Sequence, residues 1–169
     1  MVYEFFAQYQ TPLSKLFLDI LLVFALTSFI GLERESIRKF KRAEVGIRTY
    51  SLIGFLGYFA TLTGIIMDFP IVLIALSGLI LFEGISHFQR AKKGRLGITT
   101  EVSIVLAFLV GVIVGLGEYW AALLLAIFVT SILVSKRVMD SFAKSISEQD
   151  IITTIKFLIV AVVIFPLLP

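Results

Sequence analysis

Residues 12–32, PLSKLFLDILLVFALTSFIGL, form a mainly apolar run that ends at the charged segment Glu33-Arg34-Glu35. A helix of roughly 20 apolar residues crosses the hydrocarbon core of a bilayer. Composition agrees, because 59% of the chain is hydrophobic, against roughly 45–50% in soluble domains. We therefore predict an all-α, polytopic transmembrane bundle of five to six spanning helices. The other predicted spans are residues 49–67, 70–86, 100–116, 120–138 and 151–168, the last containing Lys156.

Basic residues occur in alternate linkers between these spans. The three basic linkers contain Arg34, Arg38, Lys39, Lys41, Arg42 and Arg48; Arg90, Lys92, Lys93 and Arg95; and Lys136, Arg137 and Lys144. The linkers near Asp68 and Glu118 contain neither Lys nor Arg. Because short loops rich in Lys and Arg stay in the cytoplasm, we predict a multi-pass protein of the cell membrane with its N-terminus outside. From the chain length we predict a single domain over residues 1–169. This topology explains the net charge of +3 without a nucleic-acid partner.

Two features follow the fifth predicted span. Val138, Phe142 and Ile146 recur at helical spacing, which predicts a short helix on the membrane surface. Ser147 and Asp150 then have the spacing of a capping box before the sixth span.

The predicted topology brings distant polar residues to one depth, at the cytoplasmic ends of the helices. They are Glu33, Arg34, Arg48, Thr49, Glu83, Thr99, Thr100 and Glu101. Spans one and three end at this level, and spans two and four begin there. We expect these side chains to meet in a layer that holds a binding site or a gate. Asp19 lies inside the first span, nearer the outer face.

Several of these residues also have simpler interpretations. Glu33 and Arg34 fit solvated charges at the membrane interface. Arg48 fits a membrane anchor, or a partner for Glu33 or Glu83. Glu101 fits a first-turn carboxylate stabilised by the helix dipole, with one of the two preceding threonines as N-cap.

Glu83 has apolar neighbours on both sides, in the segment LILFEGI of residues 79–85. A charge at the centre of a spanning helix costs about 2.5–3.5 kcal/mol on insertion scales, and such groups usually face the bundle interior. We interpret Glu83 as an ion ligand, a proton carrier or a partner of Arg48, with structural pairing as the alternative. The same alternatives hold for Asp19, with Lys15 as a possible i, i+4 partner. Either carboxyl group can also be protonated in place.

Glu83 and Glu101 are the candidate ligands for a metal ion such as Mg²⁺, which prefers oxygen ligands and keeps several waters. His87, the only histidine, fits an interface residue beside a basic linker. The sequence shows no zinc-ligand spacing, nucleophile elbow, phosphate loop or dinucleotide fingerprint. We therefore expect no enzymatic activity and no cofactor, apart from Mg²⁺ as a substrate or ligand.

Glycines inside the predicted helices indicate close helix packing. Gly54 and Gly57 lie in the second span, and Gly111 and Gly115 form a small-xxx-small pattern in the fourth. Packing within the chain is the simplest role. A dimer seam or a pore-lining surface is the alternative.

Three ordered segments give a family resemblance: residues 30–35 (IGLERE), 45–54 (VGIRTYSLIG) and 97–102 (GITTEV). Together they resemble the MgtC/SapB membrane-protein family, in a divergent form in which this unit is the N-terminal half of a larger membrane protein. The soluble C-terminal domain of MgtC has no counterpart, and Glu83 lies where the family has a glycine-rich third helix. The resemblance covers most of the chain and implies a membrane fold. It further implies a link to magnesium, or inhibition of another membrane machine such as the proton ATP synthase.

Two functions therefore compete. The first is a transporter or channel for a small ion, with magnesium or another divalent cation as the candidate substrate. The polar layer and Asp19 would form its pathway. The second is a regulatory membrane protein that binds another membrane complex and loses it when Gly111 or Gly115 is enlarged. In both cases the surroundings are lipid, and we expect a homo-oligomer, taken as a dimer, because so few helices enclose little space.

Overall fold

The computed structural model describes residues 13–38, 45–92 and 98–165, and these contain helices and no β-strand. The helices are α1 (Leu13–Arg38), α2 (Ile47–Met67), α3 (Ile71–Lys92), α4 (Thr99–Gly115), α5 (Tyr119–Val134), α6 (Lys136–Ser145) and α7 (Glu148–Leu158), which continues as a π-helix over Ile159–Ile164. Helices α1, α2 and α3 are long and apolar enough to cross a membrane, and α4 and α5 are shorter apolar helices. The prediction of an all-α membrane bundle is confirmed.

Three helix ends differ from the limits of the apolar runs. Helix α1 continues to Arg38 and α3 to Lys92, each about a turn and a half beyond the predicted ends at residues 32 and 86. Charged residues such as Arg, Lys and Glu are good helix formers, so a helix does not stop where its apolar run stops. The fifth apolar segment is interrupted at Ser135, and the polar residues after it form the separate helix α6.

The chain divides into two compact units, residues 1–133 and 134–169. In the first unit, α2 and α4 form the centre of the core. Tyr50 and Tyr58 of α2 and Phe108 of α4 are almost completely buried. Helix α1 adds Val23, Leu26 and Ile30 to the same core, and α5 adds a stripe of Ala122, Ala126, Val129 and Leu133.

Glycines allow the closest approach between α2 and α4. A Cβ atom at Gly57 would meet the carbonyl oxygen of Phe108, and one at Gly111 would meet the carbonyl oxygen of Gly54. A Cβ atom at Gly54 would also meet the side chain of Thr27 in α1. Since the obstacles at Gly57 and Gly111 are backbone atoms, the two helices approach closely only because these positions lack side chains.

Helix α3 lies at the edge of this unit. Its buried residues are Leu79 and Glu83, while large apolar side chains such as Leu81 and Phe82 are exposed. A Cβ atom at Gly78 or Gly84 would meet nothing within 4 Å. In a bilayer this face of α3 is available to lipid or to another protein.

The second unit contains α6 and α7. Val138, Met139 and Phe142 of α6 are exposed. The capping box predicted before α7 is present: Asp150 N–H donates to Ser147 Oγ, and Ser147 N–H donates to the Asp150 carboxylate. The described residues do not include residue 12 of the first predicted span, the basic residues Lys39, Lys41, Arg42, Lys93 and Arg95, or residues 166–168 of the sixth predicted span.

Candidate functional site

Two helix turns fix which end of the first unit carries the polar residues. Residues 68–70 join α2 to α3, and residues 116–118 join α4 to α5. Asp68 and Gly117 have positive φ in these turns, of 49° and 85°. At the opposite end, called here the basic end, α1 and α3 finish and α2 and α4 begin. The polar residues predicted to share one depth therefore do share one end of the bundle.

The main feature of the basic end is a group of four side chains from α3 and α4, called here the acid cluster: Glu83, His87, Arg90 and Glu101. Arg90 donates to the Glu83 carboxylate at 3.1 Å, and its other terminal nitrogen lies 3.8 Å from Glu101 Oε1. His87 Nδ1 lies 3.1 Å from the same Glu101 oxygen. One guanidinium group thus lies between two carboxylates that belong to different helices.

Helical spacing produces this arrangement. Glu83, His87 and Arg90 are related by i, i+4 and i+7, so they lie along one face of α3. Glu101 faces them from the first turn of α4. The Glu83 side chain is 8% exposed, Glu101 13% and Arg90 17%, so the charges are largely screened from the surroundings by protein. The Arg90 Nε–H is also satisfied, since it donates to the Ser86 carbonyl at 3.2 Å.

An open cleft of about 410 Å³ runs beside the acid cluster. Glu83, His87 and Glu101 line its polar side, and the rest of the wall is apolar, including Ile80 and Val102. Oε2 of Glu101 is buried, and no described residue donates a hydrogen bond to it. A buried carboxylate oxygen without a donor is costly, so this atom has unused capacity to accept a hydrogen bond or to bind a ligand.

The acid cluster does not have the arrangement of a resident metal site. Among the residues that the structure describes, no group of three or more His, Asp or Glu side chains is placed to hold a metal ion. Arg90 takes the position of a cation between Glu83 and Glu101. A divalent ion would therefore bind to these two carboxylates only after Arg90 moves away.

A second set of contacts joins α1, α2 and α4 at the same end. Arg34 donates to the Thr99 carbonyl at 3.1 Å, and its Nε lies 3.8 Å from the buried Glu33 carboxylate. Tyr50 and Ser103, both buried, share a hydrogen bond of 2.6 Å between α2 and α4. These contacts tie the ends of the helices together.

The sequence-predicted residues of the basic end fall into two groups. Glu33, Arg34, Glu83, Thr99 and Glu101 make the contacts described above, Thr99 through its carbonyl group. Arg48 and Thr49 are exposed at the start of α2, and Thr100 is half-buried. Ile98, and not a threonine, is the N-cap residue of α4, with no side-chain capping bond.

Sequence reasoning missed Arg90, which fills the role proposed for Arg48 as partner of Glu83. His87, interpreted from sequence as an interface residue, instead contacts Glu101 of the acid cluster. The available signal was the 83–87–90 spacing, but it has meaning only if α3 continues beyond residue 86.

Asp19 lies away from the acid cluster. Along α1 it is separated from Glu33 by a rise of about 21 Å, at 1.5 Å per residue. Its carboxylate accepts hydrogen bonds from Tyr58 Oη at 3.2 Å and Tyr119 Oη at 2.9 Å. Lys15, the partner suggested by spacing, remains exposed.

A sequence model described as the MgtC family matches residues 20–142 of the chain. The matched part runs from α1 into α6 and therefore includes the acid cluster. Neither the search of curated proteins nor that of solved structures found a match.

Proposed function

Since the chain belongs to the MgtC family, we propose that this membrane protein is a transporter or channel for a small ion, and not an enzyme, with the acid cluster as its gate. The distribution of Lys and Arg supports a placement in the cell membrane with the N-terminus outside and the acid cluster at the cytoplasmic boundary. Magnesium or another divalent cation is the proposed substrate.

The observation that carries this proposal is the shared guanidinium group. At 3.1 Å the attraction between Arg90 and Glu83 is about 5 kcal/mol for an effective dielectric constant of 20, before desolvation is subtracted. This pair lies within α3, and the same guanidinium group reaches α4 through Glu101 at 3.8 Å, so it links the two helices. A cation that reaches the cleft can replace this guanidinium group, because it also neutralises the negative charges of Glu83 and Glu101.

This geometry gives a simple exchange. In the closed arrangement Arg90 neutralises Glu83 and Glu101. When an incoming cation binds to the free oxygen of Glu101, Arg90 is repelled and Glu83 becomes available as a second ligand. Magnesium needs few protein oxygens because it keeps several of its waters.

Ion flux into proteoliposomes tests the proposal. The purified chain is reconstituted and screened with magnesium, other divalent cations, protons and simple anions. Glu83→Gln and Glu101→Gln remove the charge with little change of shape, so we expect each to abolish cation flux. Glu118→Gln is the matched control, since Glu118 is an exposed carboxylate in the turn at the opposite end.

Two results would contradict the proposal. One is the absence of flux for every ion, from protein that circular dichroism shows to be folded. The other is cation flux that stays at the parent level in both glutamine variants.

A regulatory role is the second candidate, and the exposed face of α3 supports it. Gly78 leaves open space on this face, as at a helix–helix contact whose partner is another chain. A homodimer and a complex with another membrane protein would use the same surface. Cross-linking in native membranes distinguishes them, and Gly78→Leu should weaken either contact. Gly111 and Gly115 do not suit this test, because both face α2 in the same chain.

A further inference from the structure

Asp19 is a buried carboxylate whose described hydrogen-bond donors are both neutral. Its side chain belongs to a residue that is 7% exposed, within a helix long and apolar enough to cross a membrane. The phenol groups of Tyr58 and Tyr119 hold its two oxygens, one each. Hydroxyl donors stabilise a carboxylate but do not cancel its charge. The site therefore keeps a negative potential that a positive group can satisfy.

An open cavity of about 560 Å³ has Asp19 among its lining residues. Asp19 and Tyr119 form its polar end, and Leu18, Leu22 and Ala25 continue the wall along α1. The cavity lining thus combines one carboxylate, from Asp19, with the aromatic side chain of Tyr119 and an apolar wall formed by α1. Ligand sites commonly have this composition, mostly apolar with a few placed polar groups.

We propose that this cavity binds a lipophilic organic cation: an amine, quaternary ammonium or related group carried on an apolar body. The charged centre would lie against the Asp19 carboxylate, with the Tyr119 ring contributing a cation–π contact. The apolar body would fill the space along Leu22 and Ala25. Inorganic cations fit less well, because the wall offers few oxygens to replace their hydration shell.

Lys15 sets a further condition on the ligand. It lines the same cavity, about 6 Å along the helix axis from Asp19. Being exposed, its ammonium group can reach water and leave the carboxylate free. Lys15 still repels any cation that enters, so removing its charge should increase affinity.

The site is separate from the acid cluster. Asp19 precedes the residues matched by the family, 20–142, whereas its two tyrosines lie inside that range. The inference therefore does not depend on the proposed ion transport and assigns Asp19 a role outside the ion pathway.

Equilibrium binding to the full chain in lipid nanodiscs tests the inference. The probe is radiolabelled tetraphenylphosphonium, and empty nanodiscs measure its partition into lipid. Tetraphenylborate, of the same shape and opposite charge, is the matched probe. We expect binding of the cation only, a loss of affinity of at least about tenfold in Asp19→Asn, and a gain in Lys15→Gln.

Further variants keep the test decisive. Asp68→Asn removes an exposed carboxylate near the turn after α2 and should bind the probe as the parent does. Ala25→Phe fills the apolar part of the cavity from an exposed position, so it should abolish binding even if Asp19→Asn does not fold. The inference is overturned if the parent does not bind the cation, if both probes bind equally, or if Ala25→Phe binds as well as the parent.

Discussion

Adding one methyl group at two different glycines should have clearly different effects on stability. At Gly111 the new Cβ atom would meet the Gly54 carbonyl oxygen, and would lie 2.9 Å from both the Gly54 carbonyl carbon and the Tyr58 nitrogen. At Gly78 the same atom would meet nothing within 4 Å. Both positions are inside helices, so the change in helix propensity is shared and the difference isolates the contact.

The magnitudes follow from this geometry. Alanine in place of a helical glycine gains roughly 0.5–1 kcal/mol in each case. At Gly111 the obstacles are backbone atoms of α2, which cannot rotate away, so α4 must move outward to restore ordinary contact. Overpacking of this kind costs about 1–3 kcal/mol. We expect Gly78→Ala to be neutral or slightly stabilising, and Gly111→Ala to lower the free energy of unfolding by about 1–2 kcal/mol after the gain in propensity.

Reversible unfolding in mixed micelles, followed by circular dichroism during titration with sodium dodecyl sulfate, measures both changes. Gly111→Leu extends the series and should increase the loss, since a larger side chain drives α4 further from α2. Equal effects of alanine at the two glycines would refute the packing argument, as would a Gly111→Ala variant more stable than the parent.

Three further predictions concern single contacts. Arg90→Lys keeps the charge but loses the fork that reaches two carboxylates, so cation leak in proteoliposomes should rise above that of the parent. Tyr50→Phe removes the hydrogen bond to Ser103 and should lower the free energy of unfolding by about 0.5–1.5 kcal/mol in the same micelle titration. Hydrogen bonds from Ser147 lower the pKa of Asp150 below its usual 3.8. The capping box is therefore fully formed above pH 3.8 and is lost as the pH falls through the lower pKa of the folded state. Amide hydrogen exchange at the start of α7 should rise only in that lower pH range.

The sequence predicted the helices well because the bilayer sets both their length and their apolar composition. Runs such as residues 49–67 and 100–116 agree with α2 and α4 to within two residues. It also predicted which polar residues share the basic end, since depth follows from topology alone. Which residues contact each other there depends on helix rotation and on helix ends, and hydropathy fixes neither.

Arg90 illustrates that limit. The apolar run of α3 ends near residue 86, so the sequence places Arg90 in a linker, where a basic residue needs no partner, and His87 beside that linker. The helix continues to Lys92, because helical hydrogen bonding does not depend on apolar side chains. Because of these additional turns, Arg90 lies on the same face of α3 as Glu83, about two turns further along the helix. A charge beyond the end of a hydrophobic run can therefore still neutralise one inside it.

Asp19 and Glu83 show how surroundings separate two otherwise similar carboxylates. Both are buried in apolar helices, and from sequence alone they had the same range of roles. Glu83 is compensated by a full positive charge within the chain, so a cation can enter only by displacing Arg90. Asp19 is held by two neutral hydroxyl groups beside an apolar cavity, so a cation can enter without displacing any charged partner. The first arrangement suits a gate that must close against ions, and the second suits a site that recognises the body of its ligand as well as its charge.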